Sequence, residues 1–242
     1  GAQAASHTPT KEQQAALSAL QQGEGHSVAV LHGVTGSGKS EVFLRYADQQ
    51  AQQGKQVLFL VPEIALTPQL LHKMTAHFGK TVAVLHSSLR VGERYDEWRR
   101  IARGEARVVV GTRSAVFAPL QSPGLLILDE EQEHTYKSEN APRYHAREIA
   151  LYRGAKAGAL VLFGSATPSI ETMYLAKTGV YTLYTLKTRY NGRALPAARL
   201  IDMKQELRAG NDLALSREPE EGVRAAILDG KQSILFLNRR GN

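Results

Sequence analysis

Gly33-Val34-Thr35-Gly36-Ser37-Gly38-Lys39-Ser40 follows the pattern G-x-x-x-x-G-K-[ST], and its flanks decide how the pattern is read. The apolar run Val28-Ala29-Val30-Leu31 precedes it, and the helix-like Glu41-Val42-Phe43-Leu44-Arg45-Tyr46-Ala47 follows. A strand, a glycine-rich loop and a helix N-terminus in that order form an anion site, because backbone N–H groups and the helix dipole converge on negative charge. In such a site the backbone of Gly33, Thr35, Gly36, Ser37 and Gly38 wraps phosphates. Lys39 would reach the β- and γ-phosphates, and the Ser40 hydroxyl would help to hold Mg²⁺. A chance glycine-rich turn is the alternative, and it must explain the full pattern with both flanks in place.

Outward from this stretch, short apolar runs alternate with helical segments. The runs are 28–31, 57–61, 82–85, 108–110, 125–128 and 160–163, with helices expected over 40–53, 68–78, 92–103 and 147–156. Continuous apolar strands alternating with helices imply an α/β fold: three αβα layers around a mostly parallel sheet buried on both faces. Such folds bind ligands beyond the carboxyl ends of their strands. After Pro168 the pattern loosens. Strands are expected at 180–186, 198–203 and 233–237, loops at 189–196 and 207–217, and a helix at 218–230.

Composition narrows the class. No run of 18 apolar residues is present, so no membrane partner is expected, and the polar N-terminus carries no signal-peptide core. The absence of cysteine excludes disulfides and thiolate metal sites within these 242 residues. A net charge of +7 suits a polyanionic partner without proving one.

A second chemical element is Leu125-Leu126-Ile127-Leu128-Asp129-Glu130-Glu131, an apolar strand ending in carboxylates. Asp129 is suited to Mg²⁺ and Glu130 to polarising an attacking water. Solvated acids ending a strand are the bland alternative; pairing with 33–40 favours chemistry. Three further segments occupy successive strand-to-helix junctions: 61–67 (VPEIALT), 111–115 (GTRSA) and 164–168 (GSATP). Together these resemble motifs of superfamily 2 helicases. At finer grain, GVTGSGKSEV at 33–42, VPEIALTPQ at 61–69, YDEWR at 95–99, RYHA at 143–146 and FLNRRG at 236–241 resemble the bacterial replication-restart helicases of the PriA family. The resemblance runs from about Thr10 to Gly241.

The resemblance implies the first RecA-like lobe of an ATP-dependent, 3′-to-5′ DNA helicase. Residues 1–189 would form that lobe, 190–230 a connection, and 231–242 the first strand of a second lobe. Lys39, Asp129 and Glu130 take catalytic roles, Ser40 and Asp129 serve the metal, and Gln13 matches a glutamine that reads the adenine edge. A surface glutamine opening a helix is the alternative for Gln13. Thr67, Thr112, Arg113, Tyr136, Lys137, Arg143 and Tyr144 match nucleic-acid contacts. Tyr136 and Tyr144 offer stacking faces worth about 1–3 kcal/mol per base; packing against the domain is their alternative. Arg113, Lys137, Arg143 and Arg147 supply charge for phosphates. Arg94, Arg99, Arg100 and Arg103 share a segment with acids and read as a solvated mixed-charge face.

Gln132 and Thr167 are the positions expected to couple hydrolysis to DNA. The family usually has histidine where this chain has Gln132, and glutamine cannot titrate. That departure puts coupling in question and makes His134 a candidate substitute. Implied partners are single-stranded and forked DNA, with primosome proteins and single-stranded-DNA-binding protein for the longer protein. The resemblance also implies Zn²⁺ on cysteines beyond this segment, and a cytoplasmic monomer is expected. Another DExx DNA or RNA translocase, or a DNA- and partner-binding scaffold with an uncoupled motor, remain alternatives.

Overall fold

The computed structural model describes residues 8–22, 27–189, 197–213 and 215–236. The chain divides into two units, Gly1–Arg193 and Ala194–Asn242. In the first unit the apolar runs form β1 (Val28–Gly33), β2 (Gln56–Leu60), β3 (Val82–Leu85), β4 (Val108–Gly111), β5 (Pro123–Asp129) and β6 (Leu160–Ser165). A seventh strand, β7 (Thr182–Leu186), completes a parallel sheet in the order β3-β4-β2-β5-β6-β1-β7. The helices of this unit are α1 (Lys11–Gln22), α2 (Lys39–Gln52), α3 (Pro68–Phe78), α4 (Val91–Ala102), α5 (Ala146–Ala157) and α6 (Ile170–Lys177). Of these, α6 was not anticipated, and α1 was anticipated only in the alternative reading of Gln13.

Alternate residues of each strand feed opposite faces. Ala29, Leu31, Leu125 and Ile127 pack with Phe43 of α2, Met74 of α3 and Leu17 of α1. Val30, Leu126 and Leu128 pack with Ile101 of α4, Ala146 and Ala150 of α5, and Ala176 of α6. Burial on both sides explains why the central strands read as unbroken apolar runs. The three-layer arrangement expected from the sequence is therefore observed.

At one edge of the sheet, β3, side chains occupy outward backbone groups. Glu97 Oε2 accepts the Val84 N–H at 3.2 Å, and Arg100 Nη2 donates to the Val82 carbonyl at 3.4 Å. These are groups that a foreign strand would otherwise pair with. Glu97 and Arg100 also bond to each other at 2.7 Å. The mixed-charge face of α4 is thus solvated only in part, since this pair has a structural task.

The second unit holds α7 (Met203–Arg208) and α8 (Arg217–Leu228). Strands expected at 198–203 and 233–237 are not found: residues 198–202 and 233–236 carry no regular structure, and Met203 begins α7. A strand is stable only with a neighbour to bond to, and among the described residues this unit buries no apolar side chain. Residue 237, the 238–241 motif and most of the 189–196 connection lie outside the described residues.

Candidate nucleotide and nucleic-acid site

At the carboxyl end of β1, the loop over 34–38 turns into α2 through Gly38, whose φ of 84° is a left-handed conformation open to glycine. A Cβ there would also lie 2.2 Å from Gln13 Nε2. Gln13 is buried, which corrects the surface alternative: its Nε2 donates to the Ser37 carbonyl at 2.9 Å, while its Oε1 accepts the Thr10 N–H at 2.9 Å. It thereby props the loop from behind. Among the described residues no side chain caps the N-terminus of α2, which leaves its first N–H groups facing the loop uncapped. Lys39 is buried and its Nζ donates to the Gly33 carbonyl at 2.9 Å.

Residues 35–40, Asp129 and Glu130 line one pocket of about 270 Å³. Two strands away from β1, Asp129 ends β5, and Gly164 of β6 is registered between Leu31 and Asp129. A Cβ on Gly164 would lie 2.3 Å from the Phe43 ring. Glycine is needed here so that α2, β6 and the carboxylate can approach closely. Glu130 Oε1 stands 4.0 Å from Lys39 Nζ. Among the described residues the buried Ser37 hydroxyl has no partner, and with Lys39, Ser40 and Asp129 around it the donor set fits nucleotide phosphates with Mg²⁺.

Burial, reinforced by the neighbouring Glu130 charge and opposed by Lys39, raises the Asp129 pKa from 3.8 to about 6. An acid raised in this way binds more protons in the folded chain between those two values. Its contribution to stability is therefore greatest below pH ~4 and declines as pH rises through ~6. In metal-free buffer, Asp129→Asn should raise the melting temperature at pH 7.5, recovering on the order of 2–3 kcal/mol. At pH 4 it should change little. Thermal denaturation of both proteins at the two pH values checks this, and an equal shift at both would contradict it.

Glu130 has φ +47°, a left-handed conformation uncommon for a side-chain-bearing residue. Its N–H donates to Asp129 Oδ1 at 3.1 Å. Gln132 Nε2 donates to Glu130 Oε2 at 3.0 Å, Ser165 Oγ donates to Gln132 Oε1 at 2.6 Å, and the Thr167 N–H donates to Ser165 Oγ at 2.9 Å. The Gln132 amide thus uses its donor and its acceptor to join the acidic turn to the end of β6, with Thr167 at the far end. His134 does not join this path: its side chain is 89% exposed and stands near Glu133.

The nucleic-acid candidates gather at the carboxyl ends of β2, β4 and β5, but not all are available. Tyr136 is 1% exposed, and its hydroxyl donates to the Asp129 carbonyl at 2.7 Å. It offers no face to a base, so the packing alternative holds for this residue. Tyr144 is half-buried, edge-on to Phe117 at 4.9 Å between ring centres, with the Arg113 guanidinium 6.0 Å above it. Arg113 Nη1 donates to the carbonyls of Thr135 and Lys137, at 3.0 and 2.8 Å, and so anchors the loop after the acidic turn. Thr112 is buried, and the Thr67 hydroxyl caps α3 by accepting the Leu70 N–H. Lys137 and Arg143 are exposed. Arg147 is committed to Glu131, 3.6 Å away, which removes it from the phosphate-binding set. Sequence reasoning missed Ser87 and Ser88, which share a hollow with Glu63 and Thr112. Their position just past β3, another strand-to-helix junction, was the available signal.

The model of the family described as DEAD/DEAH box helicase matches residues 10–175, which include both phosphate-side elements and the relay. The chain belongs to that family. Among DEAD/DEAH box helicases and their relatives, it is 48% identical over 235 residues to the replication restart protein PriA of Bacillus subtilis (strain 168), covering 96% of this chain and 29% of that protein. With the PriA of Treponema pallidum (strain Nichols) identity is 46% over 230 residues, covering 95% and 34%. This DEAD/DEAH box chain therefore spans about a third of the length of those relatives. Among solved structures, RecG bound to a three-way DNA junction superposes with a TM-score of 0.57 at 22% identity, covering 93% of this chain and 28% of that one. The DEAD-box helicase Mss116 bound to ssRNA and UDP-BeF superposes at 0.56 with 16% identity, covering 76% and 41%. At these identities the likeness is one of fold.

Proposed function

We propose that this chain is the ATP-binding first lobe of a 3′-to-5′ DNA helicase acting in replication restart. Residues 1–189 are the lobe, 190–230 connect it onward, and 231–242 open a second lobe. The full polypeptide acts in the bacterial cytoplasm as a monomer on single-stranded and forked DNA, with primosome proteins and single-stranded-DNA-binding protein as partners. Its Zn²⁺ is held by cysteines outside this segment. The single observation that carries the reading is the hydrogen-bonded path from Glu130 through Gln132 to Ser165 and Thr167, set across one pocket from Lys39.

Backbone N–H groups over 35–40 and the Lys39 ammonium hold the phosphates of ATP, and Gln13 supports the loop from behind. Ser40 and Asp129 hold Mg²⁺, which when bound neutralises charge on the phosphates. Glu130 orients the attacking water and takes its proton, and Gln132 fixes the direction of that carboxylate. Lys137, Arg143 and the remaining donors of Arg113 contact DNA phosphates, and Tyr144 with Phe117 offers an aromatic surface. None of these groups forms a base-reading helix, so binding is independent of sequence and weakens with salt.

Strand displacement by the full-length polypeptide tests the reading. Forks carrying a 3′ single-stranded loading arm should be unwound with ATP, and forks carrying only a 5′ arm should not. Displacement with the opposite polarity, or without ATP, would contradict it.

A further inference from the structure

Glu131 lies directly after Glu130, and its side chain is fully buried. A buried carboxylate persists only when its lone pairs are occupied, and here every partner comes from two places. The Ser169 N–H donates to Oε1 at 2.7 Å and the Thr172 hydroxyl to Oε2 at 3.1 Å, while the Ser169 hydroxyl lies 2.9 Å from that of Thr172 and 3.3 Å from Oε2. Arg147 Nη1, in the first turn of α5, stands 3.6 Å from Oε2 and also donates to the same two hydroxyls. The Glu131 backbone is held as well, its N–H donating to the Gly164 carbonyl at 3.1 Å.

Glu131 thus grips both ends of the turn between Gly164 and Ser169. That turn carries Ser165, which reaches Glu130 through Gln132. The left-handed Glu130 sits between Asp129, fixed in the sheet, and Glu131, fixed to the turn. Arg147 closes the segment that begins at Gln132 and contains the exposed Lys137 and Arg143.

We propose that Glu131 and Arg147 are positioning residues whose buried pair holds the 164–169 turn and the Glu130 carboxylate in one arrangement, tying the 132–147 segment to the hydrolytic site. This rests on the reading of Glu130 as the group that orients water. Two variants separate positioning from mere stability: Glu131→Gln, which keeps the shape but removes the charge facing Arg147, and Arg147→Met, which keeps the stem.

The test uses the full-length polypeptide, with ATP hydrolysis measured beside binding of a fluorescent ATP analogue and thermal melting. Folded Glu131→Gln should lose at least ~10-fold in kcat, with KM and analogue affinity within about threefold of wild type. Arg147→Met should follow, and it carries the comparison alone should Glu131→Gln fail to fold. Because both routes act through Glu130, Glu131→Gln combined with Gln132→Ala should cost little more than Gln132→Ala alone. An unchanged kcat, an equal loss of analogue binding, or losses that multiply would overturn the positioning role. An active wild type beside an unaffected variant condemns the pair alone. A wild type that hydrolyses nothing overturns the hydrolysis reading itself, and the pair's role with it.

Discussion

Lys39→Ala should abolish ATP hydrolysis by the full-length polypeptide while leaving the lobe folded. The Lys39 ammonium is buried at the floor of the loop, 2.9 Å from the Gly33 carbonyl and 4.0 Å from Glu130. Preorganised charge of this kind, aimed at oxygens that gain charge during transfer, is worth about 10²–10³ in rate for a single donor. The loop backbone and Gln13 remain, so the fold does not depend on the ammonium. Steady-state hydrolysis beside a melting curve measures both parts. Retention of more than about a tenth of wild-type turnover in a folded variant would contradict the assignment of Lys39.

Tyr136→Ala should cause a large loss of stability, about 3–5 kcal/mol, where loss of an exposed stacking residue would cost almost none. The ring is packed with Leu126, Leu128 and Phe163 in one face of the core, and its hydroxyl satisfies the Asp129 carbonyl. Tyr136→Phe keeps the ring and removes only that bond, so about 1 kcal/mol is expected. Denaturant unfolding of this chain, with both variants at matched conditions, checks the pair of values. A small effect of Tyr136→Ala on stability, coupled to a large effect on DNA affinity, would restore the stacking reading.

The contrast between Tyr136 and Tyr144 shows where sequence stops being informative. Both tyrosines follow the acidic turn among charged neighbours, and nothing local distinguishes the buried ring from the half-buried one. What separates them is that His134–Tyr136 form a short turn tied by the Tyr136 hydroxyl to the Asp129 carbonyl at the end of β5, whereas Tyr144 lies beyond it against Phe117. The strands of the first unit were legible because burial on both faces leaves long apolar runs, and the loop over 33–40 because its glycine positions are dictated by backbone geometry. Helix α6 was hidden because it buries Thr172 and Ala176 while exposing Ile170 and Tyr174, an inverted pattern. Helix α1 is rich in glutamine, and one of those glutamines, Gln13, is among its buried residues. In the second unit, apolar spacing suggested strands that have no partner strand.

At the site, residue types named the phosphate and metal groups, but the links between them depend on distance in space. Gln132 could be flagged as a departure without revealing that both ends of its amide are used. Glu131 read as one acid among three, and only its burial beneath Ser169 and Arg147 sets it apart.

The most direct test of the account is ATP turnover by the full-length polypeptide with and without single-stranded or forked DNA, in Mg²⁺ and at low salt. The path from Glu130 through Gln132 predicts slow turnover alone and strong stimulation by DNA despite the missing histidine. Turnover that is absent, or the same with and without DNA, would contradict a nucleic-acid-coupled motor.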